Sequence, residues 1–310
     1  MEETSAGPDT LAVQHWPLGP RTLEAQLKTG RLEILSERYA GAGLTGASRV
    51  ELRLLDLDRT IIAKWKRVPP FLDTVNNSPR REIAAYEVQK LVLEPEDYVV
   101  PTSVLRCVPA SLFPEPRKHP SGPLPGSSCE LGVFSVWMQN VTLPDILFDP
   151  DRFEREPRYA RHLGNFNLAT YLMRHLDGRR GNFLVSTNEA DRRVFAVDNG
   201  VAFGGIWYNW FVQNWHRIRV PALPRDGVER LERVRQNDLE ALAVVAQLRK
   251  GDHGIWTPTP PGPAFDEDDG ARLQGSFVQF GLTDDEIEDL SERIEDLVEE
   301  VEEGDTELLP

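Results

Sequence analysis

The segment His175-Leu176-Asp177-Gly178-Arg179-Arg180-Gly181-Asn182 follows a helical pattern and precedes a short apolar strand, with four residues between Asp177 and Asn182. Sixteen residues after Asn182, a second apolar run, Val194-Phe195-Ala196-Val197, closes on Asp198-Asn199-Gly200. Taken singly, each is an ordinary polar turn, for which Asp-Gly and Gly-Asn are well suited. Taken together, they put two carboxylates and one amide at the ends of strands expected at residues 182–186 and 193–197, joined by the polar turn 187–192. Asp198 and Asn182 are the hard oxygen donors that Mg²⁺ accepts alongside phosphate.

Upstream residues supply what such a turn needs. Gly41-Ala42-Gly43-Leu44-Thr45-Gly46 is a weak motif by itself, equally readable as a flexible turn. A dinucleotide fold requires a helix directly after these glycines, whereas Arg49-Val50-Glu51-Leu52-Arg53-Leu54 alternates like a half-buried strand. Gly41, Gly43 and Gly46 therefore bend a β-hairpin whose N–H groups are free to cover phosphates. No Gly-Lys-Ser/Thr follows, which excludes a Walker A loop. Lys64 lies in the strand run Thr60-Ile61-Ile62-Ala63-Lys64-Trp65-Lys66. Eighteen residues on, Glu82 falls in the first turns of a helix opened by Ser78-Pro79 and carrying Ile83, Ala84, Val88 and Leu91 at helical spacing. A lysine in such a strand is commonly a surface residue; its functional reading is a phosphate contact held in place by Glu82. Lys66, on the same strand face, and Glu87 compete for these two roles. Glycine turn, strand lysine, helix glutamate, Asp-x-x-x-x-Asn turn with His175 in register, and strand-end Asp198 occur in the order of a protein kinase.

Two stretches sharpen this likeness. Arg81-Glu82-Ile83-Ala84-Ala85-Tyr86, running on to Val100-Pro101, resembles the Glu-Ile-Ala-Ala helix and following Val-Pro strand of the Golgi secretory-protein kinases. Ala196-Val197-Asp198-Asn199-Gly200-Val201-Ala202-Phe203 resembles the metal-site segment of type II phosphatidylinositol 4-kinases, and HipA-type kinases are similar in general plan. The resemblance covers residues of about 35 to 215. It implies an α+β, bilobed protein-kinase-like fold: a small strand-rich N-lobe over residues 31–140, and a larger, mostly helical C-lobe over residues 141–282. An arm of residues 1–30 precedes them and an acidic helix of residues 283–310 follows. It further implies ATP between the lobes with its adenine near residues 136–141, Met138 among them. Lys64 would bind phosphate, Glu82 would pair with it, Asp177 would be the catalytic carboxylate, and Asn182 with Asp198 would hold Mg²⁺. These families commonly carry Asp-Arg at the catalytic turn; here Gly178 follows Asp177, which leaves charge stabilisation to Arg179 or Arg180. The transferred γ-phosphoryl group would go to a hydroxyl, with a protein acceptor expected ahead of a phosphoinositide or small alcohol. An ATP-binding pseudokinase and an adenylylating enzyme are the rival readings.

Composition narrows the partners. Of 310 residues, 35 are Lys or Arg and 50 are Asp or Glu, a net charge of −15. Residues 283–310 hold fourteen acidic residues against one basic, Arg293, so nearly all of that charge is in the tail. The body lacks the basic surplus that nucleic-acid binding uses. The tail reads as a helix with a Thr283/Glu286 capping box and an Ile287, Leu290, Ile294, Leu297 stripe, packed on the second lobe or offered to a partner. No apolar stretch is long enough to span a membrane and no secretory signal is visible. Cys107 and Cys129, the only cysteines, read as ordinary thiols, and a cytoplasmic setting is expected. Six prolines in residues 109–125 predict an irregular connection, and helices are expected at 23–27, 159–174 and 228–249. Residues 256–269 read as a loop. The aromatic stretch Trp207-Tyr208-Asn209-Trp210-Phe211-Val212-Gln213-Asn214-Trp215 reads as core, or else as a substrate-facing surface.

Overall fold

A computed structural model describes residues 15–39, 46–74, 77–114, 124–204 and 215–310. Alternation builds its first sheet. Strands β1 (Leu32–Tyr39), β2 (Ser48–Leu54), β3 (Arg59–Arg67), β4 (Ser103–Pro109) and β5 (Cys129–Val136) form an antiparallel sheet in the order β1-β2-β3-β5-β4. Val50, Leu52 and Leu54 are wholly buried while Arg49, Glu51 and Arg53 face solvent, the period-2 pattern expected of β2. Strand β5 is buried along its length because both of its faces are covered. Phe134 and Val136 join the main core; Leu131 and Val133 join a second one.

Helix α1 (Pro20–Thr29) buries Leu23 and Leu27. Its C-terminal carbonyls meet Arg106 of β4, which donates to Gln26 O, Leu27 O and Gly30 O at 3.3, 2.9 and 2.7 Å. A cation there satisfies orphan acceptors and the helix dipole together. Helix α2 (Pro79–Val92) starts where Ser78 predicts, the Ser78 hydroxyl accepting from the Arg81 N–H. It is buried nearly all round, Glu82 included.

The chain then forms β6 (Val141–Thr142), α3 (Pro150–Arg155), α4 (Pro157–Leu172), β7 (Phe183–Ser186) and β8 (Val194–Ala196), the three strands ordered β6-β7-β8. Helix α4 carries Leu163, Phe166 and Leu172 into the main core, as its spacing predicts. Trp215, the one described member of the aromatic stretch, is buried edge-on to Phe166 at 5.4 Å; residues 207–214 lie outside the described residues.

The expectation of a helix over 228–249 is corrected. After β9 (Ala222–Pro224) come two short helices, α5 (Arg225–Leu231) and α6 (Gln236–Glu240), and then strand β10 (Ala246–Lys250). With β11 (Trp256–Pro258), β12 (Ala271–Gln274) and β13 (Phe277–Phe280) it makes a four-stranded sheet ordered β11-β10-β13-β12. The expected loop 256–269 therefore begins with a strand, and the β12–β13 hairpin had no counterpart in the sequence reading. The second part of the chain is mixed rather than mostly helical. Leu248, Trp256, Val278 and Phe280 of this sheet pack on Leu105, Cys107, Leu131 and Val133, which returns residues 246–280 to the back of the first sheet. Gly281 turns the chain so close to the Ala243 carbonyl that a Cβ would collide with it.

Helix α7 (Asp284–Glu303) has the expected capping box, buries Ile287, Leu290 and Leu297, and ends at Gly304 with φ +84°. Strand β14 (Glu307–Leu309) then pairs in parallel with β9. The reading of Cys107 and Cys129 as ordinary thiols is also corrected: the two form a disulfide. Register explains it. Cys107 lies opposite Leu131 and Cys129 opposite Pro109 on neighbouring strands, which brings their Cα atoms to 5.4 Å. No helix among the described residues is long and apolar enough to cross a membrane.

Candidate active site

Strand β3 points Lys64 and Lys66 to the same side, as period 2 requires. Lys64 lies opposite Ser135 of β5 in the ladder. Across from this face lies α2, whose first full turn presents Glu82. Lys64 Nζ donates to Glu82 Oε1 at 3.4 Å and to Asp198 Oδ1 at 2.9 Å. Lys66 Nζ stands 3.7 Å from Glu82 Oε2 and also donates to Asn77 Oδ1. Each oxygen of Glu82 thus faces one lysine, and Ser135 Oγ adds a bond to Oε1 at 3.4 Å. Glu87, one turn further on, is bound to Lys90 at 2.8 Å and takes no part.

The two lysines differ electrostatically. Burial disfavours both ammonium groups, but for Lys64 the carboxylates of Glu82 and Asp198 outweigh it and hold the pKa above the ordinary lysine value. For Lys66, burial wins and the pKa is lowered despite Glu82. Asp198, in turn, is held below the usual carboxylate range: burial pushes it up, and Lys64 and Lys66 more than reverse that. Lys64 is the firmly charged member of the pair.

The β7–β8 hairpin places the remaining groups. Val197 N–H donates to Asn182 O at 2.8 Å, so Asn182 and Asp198 flank one end of the hairpin. Asn182 Nδ2 donates to Asp177 O at 3.1 Å, which ties the amide to the preceding turn. Asp177 is buried, and Arg179 Nε donates to its Oδ1 at 2.6 Å while Nη2 binds Oδ2. Arg180 turns away to Asp145, at 2.6 Å. His175 is fully buried, tilted against Phe183 at 5.0 Å, and burial pushes its pKa down to about 4. It packs beneath the turn as a neutral ring.

Asp198 adopts φ +62°, a left-handed conformation that Asp and Asn tolerate better than most residues. The segment after it is clamped to α2: Ser78 N–H donates to Gly200 O at 2.8 Å, and a Cβ on Gly200 would sit 2.7 Å from Asn77 Cα. Ser78 was readable as a helix cap, but its second task, holding the Asp198–Gly200 segment, has no local signal. Met138 is buried in the main core at the end of β5. Gly46, with φ +68°, leads into β2; Gly41 and Gly43 lie outside the described residues. Lys64, Lys66, Glu82, Asp177, Arg179, Asn182 and Asp198 thus converge from β3, α2 and the β7–β8 hairpin. Among the described residues no group of three or more His, Cys, Asp or Glu side chains is arranged to hold a metal. Asn182 and Asp198 are a two-donor set that suits Mg²⁺ when phosphate oxygens complete the shell.

No protein-family model matches the chain, and no curated protein matches it. Among solved structures it is similar to the crystal structure of the Golgi casein kinase with Mn/ADP bound, at 13% identity over 73% of this chain and 66% of that one, with a TM-score of 0.43. It is similar to a second crystal structure of the Golgi casein kinase at 14% identity, over 69% of this chain and 64% of that one, with a TM-score of 0.44. The chain therefore spans just under two thirds of the length of those kinases.

Proposed function

We propose that the protein is an ATP- and Mg²⁺-dependent phosphotransferase that moves the γ-phosphoryl group to a hydroxyl, with a protein as the acceptor. The observation that carries this reading is the convergence of Lys64 with both Glu82 and Asp198. An ammonium held between two carboxylates is an oriented charge that suits the α- and β-phosphates of ATP. The strand-rich part, residues 31–140, and the part that follows then act as two lobes with nucleotide between them. Residues 136–141, Met138 included, border the adenine. Asn182 and Asp198 would hold Mg²⁺, which when bound would neutralise phosphate charge. Asp177 orients the acceptor hydroxyl and takes its proton on a carboxylate oxygen. Arg179, now on Asp177, would stabilise the transferred group once it leaves that carboxylate. The disulfide weighs against the cytoplasmic setting, because such bonds persist mainly in oxidising compartments.

The test is Mg²⁺-ATP binding by calorimetry together with an ATP-consumption assay. Asp177→Asn should keep nucleotide affinity and lower turnover by about 10²- to 10⁴-fold; full turnover in that variant refutes the role. One observation favours a second reading, an ATP-binding pseudokinase: both oxygens of Asp177 are engaged by Arg179. Nucleotide binding without any ATP consumption would select it. Mass spectrometry of the modified acceptor separates a phosphoryl group from a nucleotide monophosphate, and a protein from a phosphoinositide or small alcohol.

A further inference from the structure

The N-terminus of α2 carries two adjacent arginines that the site does not use. Arg80 is buried, and its Nε binds Asp73 Oδ2 at 2.6 Å while Nη1 donates to Gly281 O at 3.1 Å. Both Arg80 and Arg81 converge on Glu286 in the first turn of α7. Arg80 Nη2 donates to Glu286 Oε1 at 3.0 Å, Nη1 binds Oε2, and Arg81 Nε donates to Oε1 at 3.0 Å. Glu286 is itself buried, and the Thr283 N–H donates to its Oε2 at 3.0 Å. Space has been cleared for this cluster: a Cβ on Gly270 would lie 2.5 Å from Arg80 Nε. On its other side, Arg81 lies against Gly204, where a Cβ would stand 3.1 Å from Nη1. Gly204 is four residues beyond Gly200, on the segment that also carries Asp198.

The geometry points to Glu286 as a positioning residue: through Arg80 and Arg81, the first turn of the C-terminal helix fixes α2 so that Glu82 meets Lys64. The physics favours a defined stop over a loose contact. Buried Arg80 and half-buried Arg81, sharing the buried Glu286 carboxylate while Arg80 also holds Asp73, tolerate only the arrangement that pairs all of them. Glu82 lies on the same helix one and two residues beyond Arg81 and Arg80. A rigid helix that shifts at its N-terminus moves Glu82 with it. The chain thereby holds its own α2 in the pairing position, using a segment two hundred residues away. The consequence for catalysis rests on the phosphotransferase reading; the mechanical link from Glu286 to the Lys64–Glu82 pair does not.

Glu286→Gln in the full chain is the discriminating variant, because Gln at this position keeps the capping box while removing the charge. Hydrogen exchange in α2 should quicken at least tenfold, with α7 within twofold of the wild type. Competitive acetylation of Lys64, read by mass spectrometry, should rise at least threefold as Glu82 leaves it. Unchanged α2 exchange with unchanged Lys64 labelling overturns the inference, and so does fraying of α7 to the same extent as α2, which would make Glu286 a cap alone. If Glu286→Gln does not fold, Arg81→Gln, which leaves the Arg80–Glu286 bonds in place, is read by the same two measurements. In the ATP-consumption assay, kcat should fall at least tenfold with KM for ATP within threefold. A wild-type protein that consumes no ATP sinks the phosphotransferase reading and leaves exchange and labelling to decide the link by themselves.

Discussion

Lys64 and Lys66 differ by two positions and share one strand face, yet their surroundings push them in opposite directions. Lys64 has two carboxylates and keeps its charge; Lys66 has half of one carboxylate and a neutral amide, and burial makes its charge costly. Lys64→Met should therefore lower Mg²⁺-ATP affinity more than tenfold, while Lys66→Met should leave it within about threefold, both by calorimetry. The pH dependence separates them further. The pKa of folded Lys66 lies below its unfolded value of 10.5, so the unfolded chain binds more protons and this residue makes stability rise as pH climbs towards 10.5. Lys66→Met should lack that rise, so its stability relative to wild type, from urea unfolding at pH 7 and pH 10, should be higher at pH 7 and converge at pH 10. A difference that grows with pH would mean that Lys66 is stabilised in the fold rather than strained.

At the scale of elements, what could be read in the sequence is what local chemistry writes there. Ser78 and Pro79 start α2, Thr283 and Glu286 start α7, and Val50, Leu52 and Leu54 write out β2. Glu82 could be placed because Ser78 and Pro79 fix the start of its helix, and Lys64 because it lies inside an apolar strand run, Arg59–Arg67. Strand β10 could not be recognised. Residues 241–246, Ala-Leu-Ala-Val-Val-Ala, form an apolar run with no period that tells strand from helix, and what makes 246–250 a strand is β13, some thirty residues later. Gln247 depends on the same distance: its amide donates to Pro260 O and its carbonyl accepts from Gln279. Cys107 and Cys129 were unreadable as a pair for a like reason, since only the β4–β5 register brings them together. Their bond closes a loop with a sequence separation of 22, which predicts about 3 kcal/mol of stabilisation. Thiol titration of the denatured, unreduced protein should find no free cysteine, and Cys107→Ser/Cys129→Ser should lose stability of that order in denaturant unfolding. Two titratable thiols in protein purified under oxidising conditions would refute the pairing.

The molecule as a whole is stitched by a chain that crosses its own boundary twice. Residues 246–280 leave the helices, pack on the back of β4 and β5, and return as α7, whose stripe joins the main core with α4. Strand β14 then fastens the end to β9. The main core itself runs without a break from Val50 and Leu52 through Val88 to Phe166 and Leu223. To part the first sheet from the mixed part that follows it, the chain must therefore expose the main core, strip one sheet from the other, and separate buried Arg80 from Glu286 at once. Neither core can open at small cost, because burying apolar surface stabilises by about 25 cal/mol per Å² and both cores are lined by buried apolar side chains. A length of 310 residues would by itself suggest units that melt separately; the crossing segment argues for one. Equilibrium unfolding in urea, followed by far-ultraviolet circular dichroism and by tryptophan fluorescence, should give coincident transitions. Trp16, Trp65 and Trp256 are all fully buried and report from different parts of the two cores, so the fluorescence signal samples both. Midpoints that differ between the two probes would show that the crossing does not couple the parts, and that the strand-rich section folds alone.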